Sequence, residues 1–76
     1  MKIVGYFVDI DGDKDYAGDV FVVTDQIIDH RGNIGIYCPI GQHSSASQSY
    51  IDKCETITRE EYIKASEGYY TPKEYL

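Results

Sequence analysis

The stretch from Thr58 to Gly68 constrains this chain more than any other, because it carries the signals of a short helix at both ends. Thr58 is a good N-cap, and Glu61 three residues later completes a capping box, in which each side chain takes up a backbone N–H that the helix leaves free. Ile57 before the cap and Tyr62 after it are spaced for a hydrophobic staple. Glu60 and Glu61 suit the positive end of the helix dipole, and Gly68 suits the left-handed residue that ends a helix. The spacing predicts a helix over about Arg59 to Glu67. Thr71-Pro72-Lys73-Glu74-Tyr75-Leu76 repeats the pattern of cap, proline and glutamate, and predicts a second helix start of one turn, docked through Tyr75 and Leu76.

Upstream of Thr58 the signals are those of strands. Lys2 to Val8 is short, β-branched and aromatic, and ends at an acidic, glycine-containing loop, Asp9 to Asp15. Val20-Phe21-Val22-Val23-Thr24 begins a second strand after the Gly18-Asp19 turn signal, and it can run through Ile27 and Ile28 with a bulge near Asp25. Asp29 to Asn33 reads as a hairpin connection in which Gly32 supplies the positive φ. Ile34 to Pro39 is the third strand. Gly41 to Gln48 reads as a polar loop, and Ser49 to Glu55 as a fourth strand or extended segment. If that segment forms a hairpin with the third strand, Cys38 and Cys54 fall near one another.

These pieces predict one α+β domain over residues 1–76. Its core is a small, strongly curved antiparallel sheet of four or five strands, either an SH3-like partial barrel or a plain meander, with the C-terminal helix over one end. A length of 76 residues fits one domain of modest stability. With 42% hydrophobic and 26% charged residues the chain is not disordered in type. The eight tyrosines, polar at the tip and apolar in the ring, suit the rim of a core. No run approaches the ~18 apolar residues of a membrane span. The start meets Asp9 too soon for a signal peptide, so a cytoplasmic protein with reduced thiols is expected.

The net charge of −6 disfavours direct binding to a phosphate backbone. It leaves two readings of the acidity: simple solubility, or an acidic surface that imitates nucleic acid.

Four patterns suggest chemistry, and each lacks a part. Val8-Asp9-Ile10-Asp11-Gly12 resembles the signature of haloacid-dehalogenase phosphatases, whose two aspartates serve as nucleophile and general acid beside magnesium. Here Asp13 stands where threonine or valine is usual, and the chain is too short for that parallel fold. Asp9, Asp11, Asp13 and Asp15 alternate like calcium ligands, but an EF-hand loop counted from Asp9 puts Lys14 and Val20 where glycine and glutamate belong; counted from Asp11 it puts Tyr16 and Val22 there. Cys38, His43 and Cys54, with His30 as a more distant fourth ligand, have the chemistry of a zinc site but no C-x-x-C knuckle. Cys38 or Cys54 activated by His43 would form a nucleophile pair, which the acidic balance opposes.

Gly41-Gln42-His43, Tyr50, Cys54 and Thr58-Arg59-Glu60-Glu61-Tyr62 together resemble a group of small, uncharacterised bacterial proteins of phages and mobile elements. The resemblance spans roughly residues 18–62. It implies an accessory or regulatory protein, and carries no activity or site residues with it.

The reading that leads is a non-enzymatic protein-interaction module, with Gln42, His43 and Tyr50 as its interaction residues and no cofactor. A metal-binding domain, for zinc or calcium, and an acidic nucleic-acid mimic are its alternatives. A small enzyme comes last, since no nucleophile, base and orienting group can be assembled. The expected partner is another protein, not nucleic acid or membrane. The oligomeric state is open, and an exposed sheet edge in so small a domain invites a homodimer.

Overall fold

The computed structural model describes all residues from Met1 to Leu76. Five strands form one antiparallel sheet: β1 (Ile3–Val8), β2 (Val20–Ile27), β3 (Ile34–Cys38), β4 (Gln42–Ala46) and β5 (Glu55–Ile57). Their order in space is β4-β3-β2-β1-β5. The sheet is open, with β4 and β5 as its two edges. Helix α1 (Gln48–Lys53) joins β4 to β5, and α2 (Arg59–Ala65) follows β5. No helix is long and apolar enough to cross a membrane.

The run Val20-Phe21-Val22-Val23-Thr24 is buried at every position. A strand with one wet face alternates apolar with polar residues; a continuous apolar run marks a strand covered on both faces. Val20 and Val22 point to one face, into a cluster with Tyr6, Val8, Tyr37, Ile57, Tyr62, Ala65 and Tyr75 beneath α2. Phe21 and Val23 point to the other, where they meet Ile36 and Ile51, the latter from α1. The protein therefore has three layers, with the sheet in the middle.

The bulge expected near Asp25 is present. Val23 pairs with Ile36, whereas Ile27 pairs with Ile34, so β2 carries extra residues between them. The Thr24 hydroxyl donates to the Gly35 carbonyl at 2.6 Å and accepts from the Gln26 N–H at 3.2 Å, which satisfies groups the bulge takes out of the ladder. Gly32, at φ 81°, turns the β2–β3 connection as its sequence predicts.

The polar stretch after Gly41 is the main correction. Gln42 to Ala46 is not a loop but a strand, paired with β3 in unbroken register from Cys38–Gln42 to Ile34–Ala46. The hairpin turn is Pro39-Ile40-Gly41, with Gly41 at φ 94° and Gln42 at φ 60°. The expected fourth strand, Ser49 to Glu55, is mostly helix: Ser47 caps α1 by accepting the Tyr50 N–H at 3.2 Å. Only Glu55 to Ile57 is extended, and it pairs with β1 rather than β3.

The cap of α2 is as expected. The Thr58 hydroxyl accepts the Glu61 N–H at 3.0 Å, and the Glu61 carboxylate accepts the Thr58 N–H at 2.9 Å. Lys14 reaches the same carboxylate at 2.8 Å and, with the capping N–H, holds it below its usual range of ionisation. Thr58→Ala is expected to lower stability by about 1 kcal/mol; urea unfolding of parent and variant measures it, and equal midpoints would show that the box contributes nothing.

After Gly68, at φ 87°, the chain runs back across the α2 face of the sheet. Thr71 does not cap: its hydroxyl is bonded to that of Tyr62 at 3.0 Å, and the turn at Lys73–Tyr75 is a 3-10 turn without a side-chain cap. Buried Tyr75 docks it as expected, whereas Leu76 stays exposed. Tyrosine hydroxyls hold this segment: Tyr37 donates to the Tyr70 carbonyl and Tyr6 to the Tyr75 carbonyl, each at 2.9 Å.

Candidate functional site

The aspartate loop uses its carboxylates to shape itself. Asp13 accepts the Asp15 N–H at 2.8 Å, and Asp19 accepts the Asp13 N–H at 2.9 Å. Asp9 accepts the Tyr50 hydroxyl at 2.8 Å, which ties α1 to the end of β1. Tyr50, expected to make outside contacts, thus uses its hydroxyl internally. The bond to Asp9, then burial, pushes its pKa up to about 12.

The zinc reading fails on strand geometry. Cys38 pairs with Gln42 and Tyr37 with His43, so alternation turns Cys38 and His43 to opposite faces. The His43 ring stands edge-on to Tyr37 at 5.2 Å and to Tyr75 at 5.9 Å, on the α2 face. Cys38 and Cys54 both pack against the cluster on the α1 face, Cys38 from β3 and Cys54 from the end of α1. Both are free thiols. His30 lies exposed in the β2–β3 connection. No three His, Cys, Asp or Glu side chains are grouped to hold a metal ion. The Cys–His nucleophile pair fails on the same strand geometry, since His43 stands on the α2 face and both thiols pack on the α1 face. Burial pushes the pKa of both thiols up, with the charge of Asp9 adding to it, so neither is poised as a thiolate.

Two surface grooves remain. One lies on the α2 face beside β4, has a volume of about 320 Å³, and is lined by Thr24, Gln26, Ile28, Gly35, His43 and Ser45, with Tyr75 at its end. Its floor is kept low by Gly35, where a Cβ would come within 3.1 Å of Ile28 and 3.3 Å of the Thr24 hydroxyl.

The second groove, of about 440 Å³, lies on the α1 face. Its existence follows from the length of α1. Six residues of helix span ~9 Å, too little to cover the sheet, so the end of that face towards the β2 bulge stays bare. Val4, Phe7, Val23, Ile27, Ile34 and Ile51 line it. Val4 is 62% exposed and Ile27 68%, unusual values for β-branched residues in a sheet. Asp25 and Asp52, both exposed, stand at its rim. Sequence reasoning did not find this site. Its signal was there in Ile27, an apolar residue placed after the bulge where a strand should already be turning into solvent.

Of the three residues expected to make contacts, Gln42, opposite Cys38 on β4, and Tyr50 on α1 belong to the α1 face, whereas His43 is turned to the α2 face. Comparison with known proteins yields no protein-family model, curated protein or solved structure that matches the chain significantly.

Proposed function

We propose that this protein is a non-enzymatic protein-interaction module, and that its contact surface is the groove on the α1 face. The observation that carries this is an apolar groove left open by a short helix, with Val4 and Ile27 standing out of it. Exposed apolar surface rimmed by polar residues is characteristic of contact sites between proteins. The chemistry of the rim selects the partner. Asp25 and Asp52 flank the groove, and the whole chain carries a net −6. A segment with apolar anchors and flanking lysine or arginine complements both features, and the acidic field favours its approach.

Substitution at the groove tests this. Ile27→Asp leaves the cores intact, since Ile27 belongs to neither buried cluster. Cross-linking and affinity capture with the parent protein are expected to retain a partner that Ile27→Asp loses, with the circular dichroism of the two unchanged. A salt-dependent loss of capture is expected as well, because rim charges act mainly on association. Equal capture by parent and Ile27→Asp would remove the groove from the proposal.

A further inference from the structure

We propose that the free edge of β4 pairs with β4 of a second copy of this chain, antiparallel and centred on Ser44. The two edges of the sheet differ. β5 has three residues and starts with an exposed glutamate, Glu55. Short length and charge are the means by which natural sheets block an edge. β4 has neither: it runs five residues, Gln42-His43-Ser44-Ser45-Ala46, with no charged residue, no proline and no break in its register with β3. Its outer N–H and C=O groups are an unused template for another strand.

The charge map favours a second copy as the occupant. Thirteen acidic residues give the chain its −6, yet none lies between Asp29 and Asp52. β3 and β4 fall wholly inside that stretch. Two copies meeting at β4 therefore bring together the longest acid-free stretch of each, whereas the opposite edge, β5, begins with Glu55 and follows Asp52. A basic foreign segment has no charge to meet at β4; it is drawn to the acidic remainder of the surface.

Strand parity gives the register. In an antiparallel pair, residues opposite one another are of the same hydrogen-bonding type. Around a two-fold axis this requires opposed positions to sum to an even number. The register that uses all of β4 sets Ser44 against itself, Gln42 against Ala46 and His43 against Ser45. His43 and Ser45 lie on the face of the smaller groove. Pairing thus brings His43 of the second copy beside Ser45 at the groove mouth, and joins the two grooves across the seam.

This surface is separate from the groove on the α1 face, so the two proposals fail independently. Light scattering on size-exclusion fractions over rising protein concentration is expected to show the mass climb from one chain towards two. Ser44→Lys and Ser44→Asp are each expected to stay at one chain, because like charges then face each other at the axis. Mixing the two variants is expected to restore the dimer, since opposite charges now meet. Ser44→Cys is expected to form a linked dimer on mild oxidation in larger yield than Ser45→Cys, because only position 44 opposes itself at the short Cα separation that a disulfide spans. A parent that stays at one chain throughout would overturn the proposal, as would dimers of Ser44→Lys as stable as those of the parent. A parent that remains a single chain but takes up a foreign strand at β4 would assign the edge to that segment and overturn it equally.

Discussion

Tyr62→Ala is expected to lower stability by about 3–5 kcal/mol, the range for removing a large aromatic side chain from a core. A domain of this length has about 4–11 kcal/mol in total, so the variant should stand at the edge of unfolding. The size of the effect follows from what the ring joins. Tyr62 is fully buried on α2, its ring centre 5.3 Å from that of Tyr6 on β1, and its hydroxyl bonds Thr71 in the returning C-terminal segment. One side chain thus holds helix, sheet and tail together. Its neighbour Ile63 points outward, and Ile63→Ala is expected to change stability by about 0.5 kcal/mol or less. Urea unfolding of both variants beside the parent checks the contrast. A loss below about 1 kcal/mol for Tyr62→Ala would place that ring outside the core.

What the sequence made legible is what local rules govern. The cap of α2, the bulge in β2 and the Gly32 turn each depend on a few neighbouring residues whose chemistry leaves little choice, and each is where it was expected. β4 was hidden because Gln-His-Ser-Ser-Ala contains no β-branched residue and an imidazole as its only ring. Those residues are extended because β3 offers them a ladder and Pro39-Ile40-Gly41 turns the chain back onto it. α1 was hidden because six residues are too few for a helical period to show, and Ser47 is followed by Tyr50 where a capping box would have glutamate. The continuous burial of β2 was legible in Val20-Phe21-Val22-Val23 and called for cover on both faces. A single C-terminal helix could not supply it.

The candidate site was less legible for a related reason. The zinc set failed on one residue of strand register, which sends Cys38 and His43 to opposite faces. The groove on the α1 face exists because of the difference between a helix length and a sheet width. Neither quantity is written in any motif.

Alkaline pH is expected to weaken the fold through its tyrosines, and to reverse the order of stability of the parent and Tyr62→Phe. Burial pushes the Tyr62 hydroxyl from an ordinary value of 10.0 up to about 12. Tyr50 reaches about 12 through its bond to Asp9, and burial raises Tyr37 and Tyr75 as well. A group whose pKa is raised by folding binds its proton more tightly in the native state. Its contribution is therefore complete below pH 10 and is lost as pH climbs from 10 through 12. For Tyr62 that loss reaches about 2 kcal/mol near pH 12. At pH 8 the phenylalanine variant lacks the bond to Thr71 and is expected to be about 1 kcal/mol less stable than the parent. Because it has no proton to lose at this position, it is expected to be the more stable of the two near pH 12. The Lys14 ammonium, raised above its ordinary value by its bond to Glu61, is the same in both proteins and cancels from the comparison. Urea midpoints measured for the pair at intervals from pH 8 to pH 12 should cross. Parallel curves would mean that the Tyr62 hydroxyl ionises in the native protein as readily as in the unfolded chain, and that the interior beneath α2 admits the charge.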